Sequence, residues 1–206
     1  RTQWQFHRGK GPTERFDELI RTHVRPIYER WKARCEQERI LEPRVVYGYF
    51  PCQSEGNDLI VYAEDSRTPR VRFTFPRQPG GRHLCIADFF AAVDSGRMDV
   101  LGCVLVTAGR RASEVTQDLF AQHNYTDYLY LHGLSVETAE ALAELWHKRM
   151  REELQIAGED SPELARIFRQ GYRGSRFSFG YPACPNLEDQ AKLFALLEPE
   201  RIGVEL

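Results

Sequence analysis

Arg44-Val-Val-Tyr-Gly-Tyr-Phe50, Asp58-Leu-Ile-Val-Tyr-Ala63 and Arg70-Val-Arg-Phe-Thr-Phe75 are three short runs rich in β-branched and aromatic residues. Such side chains suit a pleated, half-buried surface. The runs are separated by two turn-forming clusters, Ser54-Glu-Gly-Asn57 and Asp65 to Pro69, which marks each run as a strand. Connections this brief predict an antiparallel meander. Val71, Phe73 and Phe75 alternate with Arg72 and Thr74, so the third strand is expected to keep one face in water.

Helical periods flank this meander. Leu19, Ile20, Val24, Ile27, Tyr28 and Trp31 recur at helical spacing and predict a helix over Phe16 to Gln37. Thr13 is its expected N-cap, and Pro26 is expected to kink or break it. Pro76 to Gly81 is a loop, and His83 to Ala92 is expected to form a short helix or turn docking on the sheet. Val100 to Ala108 is nearly all apolar and predicts a strand buried on both faces. A helix is expected from about Ser113 to His132, ended by Gly133, with Ser135 capping a second helix, Val136 to Leu154. Leu142, Leu145, Trp146 and Met150 are its expected core stripe. Shorter helices are expected over Ser161 to Tyr172 and Leu187 to Leu197, and Arg201 to Leu206 reads like a strand just beginning. There is no internal repeat, low-complexity stretch or linker. The expected fold class is α+β, a single domain with a mainly antiparallel twisted sheet flanked by long helices.

The chain of 206 residues, 42% hydrophobic, is large enough to bury a core. Its 28 basic and 30 acidic residues leave a net charge of −2, with the basic residues scattered. No basic stripe offers a footprint for nucleic acid. No run approaches the roughly 20 apolar residues of a membrane span, and Arg1-Thr-Gln-Trp lacks the apolar region of a signal peptide. Cys35, Cys52, Cys85, Cys103 and Cys184 are odd in number and far apart, which disfavours a disulfide framework or structural zinc. A reducing cytoplasm is the expected setting. The chain opens on arginine and closes on that beginning strand, so it is expected to be a piece of a longer polypeptide.

Chemistry concentrates in Arg176-Phe-Ser-Phe-Gly180-Tyr181-Pro182-Ala183-Cys184-Pro185. Two prolines fix φ and remove amide donors, so the backbone at Ala183 and Cys184 is held in one shape. An arginine fork, an aromatic face and a rigid strip of backbone suit a small zwitterion carrying an aromatic base. The same residues also suit a tight turn with a packed tyrosine and an arginine paired to a surface carboxylate. On the predicted helix Val136 to Leu154, Glu137, Glu140, Glu144, His147 and Arg151 form one polar face at spacings of three and four, read as solvated, although a carboxylate there also suits a cationic ligand. Glu144-Leu-Trp-His147 has the Glu-x-x-His spacing of di-iron bundles, but the sequence offers no second copy, so no metal is expected. Arg110-Arg111 reads as a charged loop rather than an anion site. His23 and His123 are placed within helices, and Asp88 is expected to cap or pair locally. No nucleotide-binding glycine motif, nucleophile elbow or acid–base pair is present, so no catalytic residue is expected.

The string Arg176-x-x-x-Gly180-Tyr181-Pro182-Ala183-Cys184-Pro185 resembles the C-terminal activation domain of cobalamin-dependent methionine synthase. Gln3-Trp-Gln-Phe6, Val45-Val-Tyr-Gly-Tyr-Phe-Pro-Cys52, Leu84-Cys-Ile-Ala-Asp-Phe89 and Glu137 to Arg151 are similar to the same family in the same order, so the likeness spans essentially the whole chain, residues 1–206. The resemblance implies a module that binds S-adenosylmethionine and presents its methyl group for reductive remethylation of cob(II)alamin. It implies that Arg176 binds the methionyl carboxylate and that Tyr181 lies near adenine and ribose. The backbone from Pro182 through Ala183 and Cys184 to Pro185 would meet the base edge after the Gly180 bend, and Glu140 would stand near the sulfonium. Cobalamin would be bound by a neighbouring domain of the parent enzyme, and a flavodoxin-type partner would supply the electron. Two positions depart from the family: Gln3 stands directly before Trp4 where an aspartate is common, so that acid is either replaced or lies upstream of this fragment, and Gln170 replaces another acid. They motivate an alternative, a non-catalytic docking module contacting the cobalamin domain or a flavodoxin-type reductase.

Overall fold

A computed structural model describes residues 3–6 and 13–206. Four strands form one sheet in the order β3-β2-β1-β4: β1 (Arg44–Glu55), β2 (Asp58–Tyr62), β3 (Pro69–Thr74) and β4 (Asp99–Thr107). The helices are α1 (Thr13–Leu19), α2 (Arg25–Gln37), α3 (Arg110–Ala121), α4 (Tyr125–Glu153), α5 (Leu164–Ile167) and α6 (Asp189–Leu197). The α+β class and the antiparallel meander are as expected. β1 pairs β2 antiparallel from Cys52 opposite Val61 to Glu55 opposite Asp58, and β2 pairs β3 with Leu59 opposite Phe73 and Val61 opposite Val71. The β1–β2 turn is shorter than Ser54 to Asn57, because Ser54 continues the strand. Its amide donates to Ala91 O and its hydroxyl to Phe90 O, so a polar residue is satisfied inside the sheet. Gly56 makes the turn at φ +60, a conformation that carries no Cβ cost for glycine.

The chain divides into two compact units, one running through Val45 together with Val106–Glu144, the other comprising Val46–Leu105 and Leu145–Leu206. The first is helical. Trp31, Cys35, Ile40, Ala112, Val115, Leu119 and Leu131 form its core. The second holds the paired strands, and its core gathers Leu59, Val61, Phe73 and Phe75 with Cys184, Leu196 and Leu197. Val71 and Phe73 turn toward this core while Arg72 and Thr74 remain exposed, as their alternation predicts. Ile86–Phe89 form the expected short helical turn, here of 3-10 type. Asp88 does pair locally: its carboxylate accepts the Cys85 amide at 2.8 Å and both Arg77 terminal nitrogens at 2.7 Å. All five cysteines are unpaired and buried, with Cys52 and Cys103 thiols pushed up to about 12 chiefly by desolvation.

Several expectations are corrected. Residues 13 to 37 are helical, so Thr13 is itself helical rather than a cap outside the helix, and no break falls at Pro26. Instead Ile20–Val24 form a π turn in which the Arg25 amide bonds Ile20 O, widening the ladder just before a residue that has no amide to donate. β4 is not buried on both faces: it is an edge strand in which only Cys103 is buried and Val100 is 44% exposed. Gly133 ends no helix. The break falls at residues 122–124, where His123 takes φ +58 outside any helix, and α4 then runs unbroken through Gly133 and Ser135. A Cβ on Gly133 would lie 2.7 Å from Trp4 Cδ1, so the glycine makes room for an indole that donates to Tyr130 O. Ser135 Oγ bonds Leu131 O one turn back rather than capping. In the expected stripe of α4, Met150 is buried but Leu145 is exposed, and Ala143 takes its place. The expected helix Ser161 to Tyr172 reduces to α5, because Gln170 adopts φ +61 and the Ser161 amide turns back to Gly171 O at 2.7 Å. Residues 201–206 form no strand: a 3-10 turn at Pro199–Ile202 is followed by Gly203 at φ +79. Among the described residues no helix is long and apolar enough to cross a membrane.

Candidate functional site

Within residues 176–185, in the second unit, residues 178–184 form a small closed turn. The Cys184 amide donates to Tyr181 O at 2.9 Å, closing a four-residue turn with proline at its second position, where a preset φ favours it. The Gly180 amide donates to Cys184 O at 3.0 Å, and the Cys184 thiol donates to Ser178 O at 2.9 Å. Gly180 sits at φ +91, and a Cβ there would meet Leu187 at 3.1 Å, so position 180 needs glycine for both conformation and space. Phe179 packs against the sheet core and stacks on Phe73 with ring centroids 6.1 Å apart. The loop is therefore anchored through Phe179 and Cys184, while Tyr181 is 67% exposed and Pro182 is exposed. This contradicts a packed tyrosine. Arg176 is half-buried. The internal hydrogen bonds use Gly180, Tyr181 and Cys184 and leave the Pro182 and Ala183 peptide groups outside the ladder.

The segment leading into this loop is held by a network that sequence reading missed. Arg151, read as part of a solvated face, is 3% exposed. Its guanidinium grips Asp160 with Nε–Oδ1 at 3.0 Å and Nη2–Oδ2 at 2.7 Å, and it lies 4.2 Å over the Tyr172 ring. His147 meets the same ring edge-on at 5.1 Å. The Arg151 guanidinium holds the Asp160 carboxyl below its ordinary range. No local pattern announces a pair nine residues apart that depends on a chain reversal. Beyond the loop, Asp189 opens α6 buried and pairs with Lys192 at 2.7 Å, an i,i+3 spacing that could have been read from sequence.

Glu140 lies in the first unit, exposed on α4, with Glu137 exposed one turn before it. Glu144 and His147 are half-buried, and among the described residues no three His, Cys, Asp or Glu side chains gather as a metal site. Arg111 pairs with Glu114 at 3.5 Å within α3. Gln3 and Trp4 line a cavity of about 750 Å3 in the first unit, together with Asp17, Arg21, Tyr28 and Glu137.

The chain is thus an α+β fold whose sheet-anchored loop carries a half-buried arginine and an exposed tyrosine. The chain belongs to the family described as vitamin B12 dependent methionine synthase, activation domain, whose model matches residues 4–206. It is 49% identical over 211 residues to methionine synthase of Mycobacterium tuberculosis and 46% identical to that of Mycobacterium leprae. In each case 96% of this chain is covered, and the chain spans only 18% and 17% of those relatives' lengths. A crystal structure of the MetH reactivation domain bound to AdoHcy matches all of this chain and 66% of its own, with TM-score 0.85 and 28% identity.

Proposed function

We propose that this chain binds S-adenosylmethionine through the 176–185 loop and presents its methyl group for reductive remethylation of cobalamin in a methionine synthase. The observation that carries the reading is the closed turn itself: an anchored frame that exposes Tyr181 and Pro182, five and six residues after Arg176. Support comes from family membership and from a solved relative bound to AdoHcy, the demethylated form of the proposed ligand. The residues suit the ligand. Arg176 offers a carboxylate the charge-assisted fork of a guanidinium. Tyr181 offers a π face to adenine, and the tip backbone offers hydrogen bonds to the base edge. Glu140 is the carboxylate assigned to the sulfonium. Gln3 lacks the family's acidic charge, yet Asp17 and Glu137 line the cavity it borders.

The bound cofactor supplies the activated methyl group, and this chain's residues need only orient it, a proximity task that requires no general base. Cobalamin would be held by another domain of the same enzyme, with a flavodoxin-type protein as electron donor, in the cytoplasm. Calorimetry with S-adenosylmethionine checks the reading. Binding by the wild type and a loss of about 1.5–3 kcal/mol in Arg176→Ala is the expected result. Equal affinity in both proteins would defeat it. The docking-module alternative, favoured by uncharged Gln3 and Gln170, instead expects no ligand heat together with capture of the cobalamin domain.

A further inference from the structure

Cys184 makes a hydrogen bond with each of its three polar groups, all inside the loop. Its amide binds Tyr181 O, its carbonyl accepts from Gly180, and its thiol reaches back to Ser178 O at 2.9 Å. The first two bonds close the turn. The third joins the turn to the arm that carries Arg176, two residues before Ser178. The side chain is 5% exposed and belongs to the sheet core. Burial, and then the nearby Asp189 carboxylate, hold the thiol above its ordinary pKa, so it remains an S–H donor. Asp189 is tied in turn: Lys192, its ion-pair partner, donates to Arg72 O on β3 at 2.9 Å.

We propose that the Cys184 thiol is a positioning residue for the ligand: its S–H bond to the Ser178 carbonyl sets the spacing between the Arg176 arm and the Tyr181 turn. The role is one of geometry. A buried thiol with a raised pKa is a poor nucleophile, and a donor at this point does what a turn alone does not, since the turn's own bonds stop at Gly180. The inference rests on the S-adenosylmethionine reading above and names what holds that site in shape.

Calorimetry with S-adenosylhomocysteine on the full chain, paired with amide hydrogen exchange across 176–185, tests it. Cys184→Val removes the donor and fills its place with a somewhat larger apolar group; Cys184→Ser keeps a donor. The expected result is affinity about fivefold weaker in Cys184→Val, the order of one lost hydrogen bond. Faster exchange at the Gly180 and Cys184 amides should accompany it, and Cys184→Ser should recover affinity to within about twofold of wild type. Wild-type affinity in Cys184→Val overturns the proposal, even where its melting temperature falls, because position 184 then serves packing alone. Equal weakening in Val and Ser variants overturns it too. A wild type that binds no S-adenosylhomocysteine overturns the ligand reading itself, a result distinct from a binding wild type indifferent to residue 184.

Discussion

The helical core packs side chains drawn from segments far apart in sequence, whereas the sheet core packs side chains that a backbone ladder has already aligned. Around Trp31, which is 1% exposed, the first unit gathers residues from α2, α3 and α4, with the Arg34 guanidinium 5.0 Å over the indole. Around Phe73, the second unit gathers Leu59 and Val61 from the paired strand, and the loops then close over them through Phe179 and Cys184. In the sheet, parity along the strand assigns each side chain a face. In the helices, the face is assigned by whichever partner arrives. Gly133 shows this, since its place in α4 follows from Trp4, which no period in α4 foretells.

That contrast can be broken hardest at Arg151. It is a buried charge in the sheet-bearing unit, and no strand aligns it. Arg151→Ala strands the Asp160 carboxylate and is expected to cost about 3–5 kcal/mol in urea unfolding, more than a surface ion pair would. A cost under 1 kcal/mol would return Arg151 to the solvated face first read from sequence. In the helical unit, Gly133→Ala sharpens the comparison. Helix propensity alone gives a gain of about 1 kcal/mol, but the added Cβ meets the Trp4 ring, so a net loss of about 1–3 kcal/mol is expected by thermal melting. A stabilised variant would mean the indole gives way.

The smallest effect is expected at Asp88, and it is read from pH. The Arg77 guanidinium, then the Cys85 amide, lower this carboxyl from 3.8 to about 2. A depressed folded-state value contributes stability above its ordinary range, and that contribution is lost as the pH falls from about 4 to about 2. Asp88→Asn is therefore expected to flatten the acid limb of the stability profile and leave stability near neutrality slightly reduced. An unchanged acid limb would show that Asp160, Asp58 and Asp65, also lowered, account for it.

Legibility followed the range of the forces. The meander, the Gly56 turn and the 178–184 turn could be read because glycine, proline and strand alternation act over two to four residues. Local rules failed where distant groups decided. Gly133 served an indole, β4 took a sheet edge despite its apolar run, and the helix expected after Ser161 gave way to a chain reversal. The loop at 176–185 stood out in sequence, whereas the Arg151–Asp160–Tyr172 brace leading into it did not.

By itself, the order of residues determined an α+β chain, a three-strand meander and a stiff arginine–tyrosine loop, because torsional preference and side-chain parity are properties of neighbours. Only the folded chain decided which charges were buried, where the long helix began, and that Cys184 should clasp Ser178. Those outcomes depend on desolvation and contact between segments whose separation along the chain carries no record of their meeting.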